Sequence, residues 1–258
     1  MKKSFSHALP ALLFATATGL AACGGGNTLL GLPAGNIRVV NAISDTTSLD
    51  ARATNLPSDI NNITVNTASG FRVVPDSSFN LNVTLNTASG SQPTFTYNNV
   101  TIDRNTDTTI YLPGTIAAGT DTTDGFQVDN VNATIPTGQV ELQPVHASSA
   151  GPASISVYIT DPTVAAITGL TPINLNYRQA GAPTPIAGGS YRIRVTAVGS
   201  ALVIFDSGTI GVTLAAGSRL QLAALNETDT TRASAIFILA IPSDSSAALA
   251  IHNVPAAP

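Results

Sequence analysis

The sequence predicts an all-β protein made of two tandem antiparallel β-sandwich modules. Three observations predict it. Apolar and polar residues alternate with a period of two, as where Phe79, Leu81, Val83 and Leu85 are set between Asn80, Asn82, Thr84 and Asn86; such alternation puts one face of a strand in a core and the other in water. Turn clusters such as Pro75-Asp-Ser-Ser78 and Ala88-Ser-Gly-Ser91 separate the runs at intervals of about 8–12 residues, the spacing of all-β domains. An ordered series of motifs in the first half also returns in the second. Composition agrees, with 43% of the 258 residues hydrophobic, 10% charged, no Trp and one Cys. The abundant Thr, Val, Ile, Asn and Gly suit strands and turns better than helices. The apolar content suffices for one large or two small cores.

The chain opens with Met1-Lys-Lys3, followed by an apolar run from Ala8 to Ala22 that Pro10 interrupts. Such a run falls short of the roughly 20 residues a helix needs to cross a bilayer. A basic start, a short apolar stretch and small residues before a cleavage point are the marks of an export signal. Leu20-Ala-Ala-Cys23 resembles the processing box of bacterial lipoproteins. That resemblance implies cleavage before Cys23, a diacylglyceryl thioether on its sulfur, and a fatty acid such as palmitate on the new amine. Gly24 in place of Asp implies, by the sorting rule of Gram-negative lipoproteins, a place in the outer membrane. One acyl chain holds a protein marginally and two or more hold it stably, so no transmembrane helix is required. Residues 1–22 are thus expected to be the signal peptide. Residues 23–35, rich in Gly, are expected to form a flexible tether that reaches roughly 20 Å, at about 5–6 Å × √n.

Both lysines would leave with the signal, so nine arginines would face fifteen acidic residues, a net charge of −6. Scattered arginines on an acidic chain cannot make the basic stripe that nucleic acid needs. With its one cysteine acylated, the chain would have no internal disulfide.

The strands recur from Ile37 onward. Asn66-Thr-Ala-Ser-Gly70 and Asn86-Thr-Ala-Ser-Gly90 are identical, but a twenty-residue unit fails because positions 46–50 and 106–110 do not continue it. A period of about 105–112 residues works. Ile37-Arg-Val-Val-Asn-Ala42 matches Leu142-Gln-Pro-Val-His-Ala147, and Phe79-Asn-Leu-Asn-Val-Thr84 matches Tyr191-Arg-Ile-Arg-Val-Thr196. Phe95-Thr-Tyr-Asn98 is aligned with Val203-Ile-Phe-Asp206. On this frame the first pentapeptide precedes a segment aligned with Tyr177–Gly181, and the second is a hairpin tip aligned with Ala197–Ser200. Further alternating strands are expected over Ile155, Val157 and Ile159, and over Ile210, Val212 and Leu214. Residues 125–132 read as the last strand of the first module, and the tail 248–255 as a strand completing the second sheet. One short helix is expected over Asp161–Thr168, with Asp161 as its cap and Pro162 in its first turn. The organisation is then a first module at 36–132, a linker at 133–138 and a second module at 139–258.

The stretches 37–53 and 138–160, with Pro185-Ile-Ala-Gly-Gly-Ser-Tyr-Arg-Ile-Arg-Val-Thr196, resemble a bacterial surface-module family known as domain of unknown function 4397. The first module is the more divergent, with Thr46-Thr47 in place of the turn's Pro. The resemblance covers roughly residues 36–250 and implies an Ig-like β-sandwich at the cell surface, with no catalytic signature.

Sites for chemistry are few. Asp206-Ser-Gly-Thr209 matches the Asp-Ser/Thr-Gly-Ser/Thr loop of aspartic proteases, whose chemistry needs two carboxylates sharing a proton. No second such loop exists, so a turn is the better reading. Asp103-Arg-Asn-Thr-Asp107 opens like a calcium loop but lacks the Gly and the distal Glu, and Asp121-Thr-Thr-Asp-Gly125 also reads as a turn. His146, aligned with Asn41, reads as a side chain bonding backbone at a strand end. No metal cluster, phosphate loop or serine elbow is present, and Cys23 would carry lipid. No catalytic residue, cofactor or metal ligand is therefore expected. Sugar sites favour flat aromatic platforms, whereas the five tyrosines, at 97, 111, 158, 177 and 191, mostly take core positions. The function expected is that of a non-enzymatic, lipid-anchored envelope protein with a structural, adhesive or ligand-binding role and a protein or glycan partner. The alternatives are an envelope hydrolase using acidic residues around Asp206, or a glycan-binding accessory module.

Overall fold

The structure is a computed structural model, described for residues 28–29, 32–116, 125–244 and 247–254. These residues form strands and connecting turns, with no helix among them. The first half holds β1 (Thr28–Leu29), β2 (Leu32–Ile43), β3 (Ser48–Arg52), β4 (Ile60–Thr64), β5 (Thr67–Ala68), β6 (Arg72–Pro75), β7 (Ser77–Asn86), β8 (Thr94–Ile102), β9 (Thr106–Gly114) and β10 (Phe126–Val131). One sheet runs β1-β2-β9-β10, with β5 and β6 also on β2, and the other runs β4-β3-β7-β8. The second half holds β11 (Gln139–His146), β12 (Ser154–Thr160), β13 (Ile173–Asn176), β14 (Gln179–Ala180), β15 (Thr184–Ala187), β16 (Gly189–Ala197), β17 (Val203–Asp206), β18 (Val212–Leu214), β19 (Arg219–Asn226), β20 (Ile236–Pro242) and β21 (Leu249–Ile251). Its sheets run β14-β11-β19-β20-β21, with β15 on β11, and β13-β12-β16-β17, with β18 on β16.

Each half is a sandwich with its own apolar filling. Ile37, Val39 and Ile110 of one sheet meet Leu49, Leu81, Val83 and Leu85 of the other. In the second half Leu142, Leu222 and Ile238 meet Ile155, Ile193, Val195 and Phe205. The duplication is visible in the ladders. Asn41 pairs with Thr67 as His146 pairs with Gln179, and Leu49 pairs with Leu85 as Ile155 pairs with Ala197. Asn66 and Arg178, at φ 60° and 64°, make the same left-handed corner before β5 and β14. The second pentapeptide is a hairpin tip, closed by Gly90 N–H on the Thr87 carbonyl at 3.0 Å, so the two copies of that sequence have different jobs.

Five expectations need correction. The stretch 23–35 is not a tether throughout, because Thr28–Leu29 pairs with Leu32–Pro33 and Ala34–Gly35 pairs with Val74–Pro75. Pairing is not wholly antiparallel, because β2 lies parallel to β9 and β11 parallel to β19. In each half the chain crosses to the opposite sheet between these strands and re-enters in the same direction. The helix over 161–168 does not form. Asp161 caps a turn instead, accepting from Thr163 N–H at 2.8 Å, and arginines of β16 take the Val164 and Ala165 carbonyls that a helix would use internally. Ile210 lies outside β18 and is 93% exposed. Finally, Arg194 pairs with Asp206 while its equivalent Asn82 pairs with Thr96. Irregularities in both ladders shift the register, so Thr96 rather than Asn98 matches Asp206.

A third apolar cluster lies between the sandwiches. Val40, Ala42, Tyr111 and Val128 from the first half pack against Val145, Ala147, Ala223, Leu225, Phe237 and Leu239 from the second. The inner sheets are therefore covered on both faces. This is why every residue of β20 is buried, as continuous apolar strands generally are.

Close backbone packing fixes one glycine. A Cβ on Gly35 would collide with the Asp103 carbonyl oxygen and lie 2.8 Å from the Ile102 side chain. Gly35→Ala is expected to cost about 1–3 kcal/mol, the usual penalty for overpacking, measured by urea unfolding.

Candidate functional site

The residue singled out for chemistry, Asp206, ends β17 at the rim of a 480 Å³ cleft, where Pro152, Ile204, Ser234, Ile236, Asn253 and Val254 are among the lining residues. Its carboxylate is engaged. Arg192 grips both oxygens, at 2.8 and 2.5 Å, and Gly208 N–H donates to Oδ1 at 2.9 Å. Burial pushes its pKa up, but the Arg192 and Gly208 hydrogen bonds and the nearby guanidinium charges outweigh this and hold it below the usual carboxylate value. Among the described residues no second carboxylate lines the cleft. An ionised group with both oxygens engaged has no proton to share, so the Asp-Ser-Gly loop acts here as a turn cap and an ion pair.

The other candidates also resolve into structure. His146 is fully buried; its Nε2 lies 2.8 Å from the Pro152 carbonyl oxygen, and its Nδ1 faces Ser148 N–H at 3.4 Å. Burial pushes the imidazole pKa down, offset in part by the Pro152 bond. Asn41 plays the same part in the first half, accepting from Ile43 N–H at 3.2 Å. Both residues receive the backbone N–H two positions ahead, which explains the exchange of His for Asn. His252 pairs with Glu227 at 2.8 Å and stacks on Phe237. In the calcium-like stretch 103–107, the Asp107 carboxylate accepts from the Asn36 and Asn132 amides at 2.7 and 2.9 Å. Among the described residues no group of acidic, His or Cys side chains has metal-ligand geometry. Tyr111 is fully buried and the other four tyrosines are half-buried. Cys23 and residues 121–124 lie outside the described residues.

What sequence reasoning missed is the polar network in the seam between the sandwiches. Arg38 is 4% exposed. Its guanidinium donates to Thr109 Oγ1 at 2.9 Å, to Gln221 Oε1 at 2.9 Å and to the Pro242 carbonyl, and stands 4.5 Å from the centre of the Phe71 ring. Tyr111 donates to the same Gln221 oxygen at 2.9 Å, and Gln221 donates to Gln143 Oε1 at 3.1 Å, which Asn130 also reaches at 2.8 Å. Burial pushes the Arg38 pKa down to about 10, against the opposing pull of Tyr111 and Asp107. Arg219, paired with Glu141, holds Asn132 and the Ala133 carbonyl at 2.9 Å each. The available signal was the unbroken apolar run 235–242, too long in both faces for a half-exposed strand.

No family model matches the chain, and no curated protein does. Among solved structures the chain resembles one described as "a putative cell adhesion protein" from Bacteroides ovatus, at 11% identity and a TM-score of 0.25, covering 87% of this chain and 99% of that one. A likeness so distant says nothing of function.

Two outcomes follow. The folded pKa of Asp206 lies below its unfolded value, so the group adds stability above the unfolded value and loses it as pH falls through the folded one. Wild type should therefore exceed Asp206→Asn in stability at pH 7, and the gap should begin to narrow as pH falls below about 4 and go on narrowing toward the lower folded value, as read by urea unfolding at each pH. Arg38→Ala, which removes charged hydrogen bonds spanning the seam, should cost about 1.5–3 kcal/mol in the same assay.

Proposed function

We propose that the protein is a non-enzymatic, lipid-anchored protein of the Gram-negative cell envelope. Acylated Cys23 holds it in the outer membrane, and its body displays two sandwich modules of the 4397 kind in a structural or adhesive role. The observation that carries this reading is Leu20-Ala-Ala-Cys23 after a basic start and a short apolar run. A signal peptide alone leaves these positions free to vary. The Cys23 sulfur attacks, as thiolate, the terminal glyceryl carbon of a diacylglyceryl phospholipid and displaces its phosphate headgroup; after cleavage the new amine attacks an acyl ester of a second phospholipid, forming the amide and releasing the lyso-phospholipid.

Physical chemistry supports such a role for the body. From residue 23 onward the chain carries fifteen acidic residues against nine arginines, so anionic headgroups repel the body that Cys23 anchors. The one carboxylate in the 480 Å³ cleft is bound to Arg192, which favours a structural over a hydrolytic use.

The test is fractionation of cells that express the full chain, with mass spectrometry of the product. Wild type is expected in the outer membrane with Cys23 at its N-terminus, carrying three acyl chains. Cys23→Ser should leave an unprocessed or soluble product. Wild type recovered free of membrane, or with an unmodified cysteine, would overturn the proposal.

A further inference from the structure

The two sandwiches differ at one edge. In the first, seven residues (53–59) connect β3 to β4, and they begin with a tight turn in which Leu56 N–H bonds the Ala53 carbonyl at 3.1 Å. Leu56 belongs to the core and is 9% exposed; Ile60 and Val74 beside it are 2% and 0% exposed. In the second sandwich twelve residues (161–172) connect β12 to β13. They contain two tight turns: Val164 N–H on the Asp161 carbonyl directly after β12, and Leu170 N–H on the Ile167 carbonyl close to β13, each at 3.1 Å, the second with Gly169 at φ +81°. Here Leu170 is 38% exposed.

A 310 Å³ cleft stands open where the first sandwich is plugged, lined by Leu142, Val157, Ile159, Ile173, Ile186 and Tyr191 with two threonines. The ladders make Ile173 and Ile186 the counterparts of Ile60 and Val74. These two are half-buried where their counterparts are sealed. Val157 and Ile159 are bulkier than the Ala51 and Ala53 they replace, yet the cleft remains. Neighbouring Thr171 already lines it.

The connection is clamped near its start. Arg194 donates to the Ala165 carbonyl at 3.0 Å and to Thr160 Oγ1 at 3.0 Å, while Arg192 reaches the Val164 carbonyl. Residues 161–165 are thus clamped onto the outer sheet, and β13 begins at Ile173. Between these anchors, residues 166–172 carry Leu170 on a glycine hinge. A half-exposed leucine beside an empty apolar cleft gains by entering it, and loop movements of this size are fast.

We infer that residues 166–172 form a lid, with Leu170 as a plug that leaves and enters the second sandwich's edge as Leu56 permanently fills the first. The open form is the one described, and the closed form reproduces the first sandwich. Opening leaves Ile159, Ile173, Ile186 and Tyr191 half-buried without unpairing a strand, so the edge can be uncovered at little cost to the fold.

The test is methyl-labelled NMR of the folded body, with Leu170→Asp and Leu56→Asp as variants. If the lid closes, Leu170 methyls show NOEs to Ile173 and Ile186. Leu170→Asp then lowers the melting temperature by about 2–4 °C, less than Leu56→Asp does, and shifts the Ile186 methyl. Absent NOEs with an unchanged melting temperature for Leu170→Asp would overturn the inference. So would saturable binding of decanoate equal in wild type and Leu170→Asp, because that outcome marks a permanently open site with no plug.

Discussion

The buried seam between the inner sheets is the contact on which the rest of the molecule depends. Each sandwich has roughly a hundred residues, a size at which one core gives modest stability. The single cysteine leaves no internal disulfide to add to it. Packing Val40, Ala42 and Tyr111 against Ala223, Leu225 and Phe237 makes one four-layered body of two marginal units. The seam also carries a cation. Moving a guanidinium out of water is costly, and what receives Arg38 is a set of neutral acceptors and the Phe71 ring. Those acceptors come from both halves, so only one relative placement satisfies them. The apolar contacts supply most of the attraction, and the polar network selects the register.

Duplication followed by divergence explains what differs between the halves. His146 and Asn41 exchange freely because the backbone N–H two positions ahead needs only a lone pair. Arg192 and Arg194 replace Asn80 and Asn82 on an outward face, and with them comes a longer connection that covers them. That cover is why Arg194 is 2% exposed in a strand whose sequence reads as half-solvated. One copy filled its edge with Leu56; the other lengthened the connection, clamped it with arginines and left the edge vacant.

The same features mark where the sequence was readable. Strand β7 follows its alternation closely, with Leu81, Val83 and Leu85 inside and Asn80 and Asn82 outside, because one of its faces meets water. The ladders of β2 and β11 also follow from the motif repeat. Legibility stopped where a second layer covered an outward face. The seam's polar network leaves no periodic signal, because the partners of Arg38 lie 71 to 204 positions away in sequence. The helix expectation over 161–168 failed for a related reason: Asp-Pro serves a capped turn equally well, and the deciding partners are arginines thirty residues on. Asp206 was correctly read as a turn residue, but the two-residue shift in its counterpart came from ladder irregularities that no pattern of residue types encodes.

The edges of the outer sheets show how a chain so poor in charge keeps its strands from pairing with strangers. Exposed edges are commonly blunted by lysine, and from residue 23 onward this chain has none. Side chains occupy the backbone groups instead. On β8, the Gln127 amide both accepts from Thr101 N–H at 3.2 Å and donates to its carbonyl at 2.8 Å, as a neighbouring strand would. On β17, Asn253 accepts from Asp206 N–H at 2.8 Å, Val254 N–H takes its carbonyl at 2.8 Å, and Ser234 covers Ile204 at 2.9 Å. On β13 the Gln179 side chain receives Asn176 N–H at 2.9 Å. On β4 the ladder is broken by an irregularity, and Asn62, at φ 55°, gives its N–H to Asp50 at 2.7 Å. Each device satisfies a donor or acceptor that would otherwise recruit another chain, and each uses a short polar side chain rather than a charge on a long stem. The abundance of Asn, Gln, Ser and Thr is in this light more than a compositional habit: with few charges on the chain, edge-capping amides and hydroxyls satisfy the backbone groups at the sheet edges.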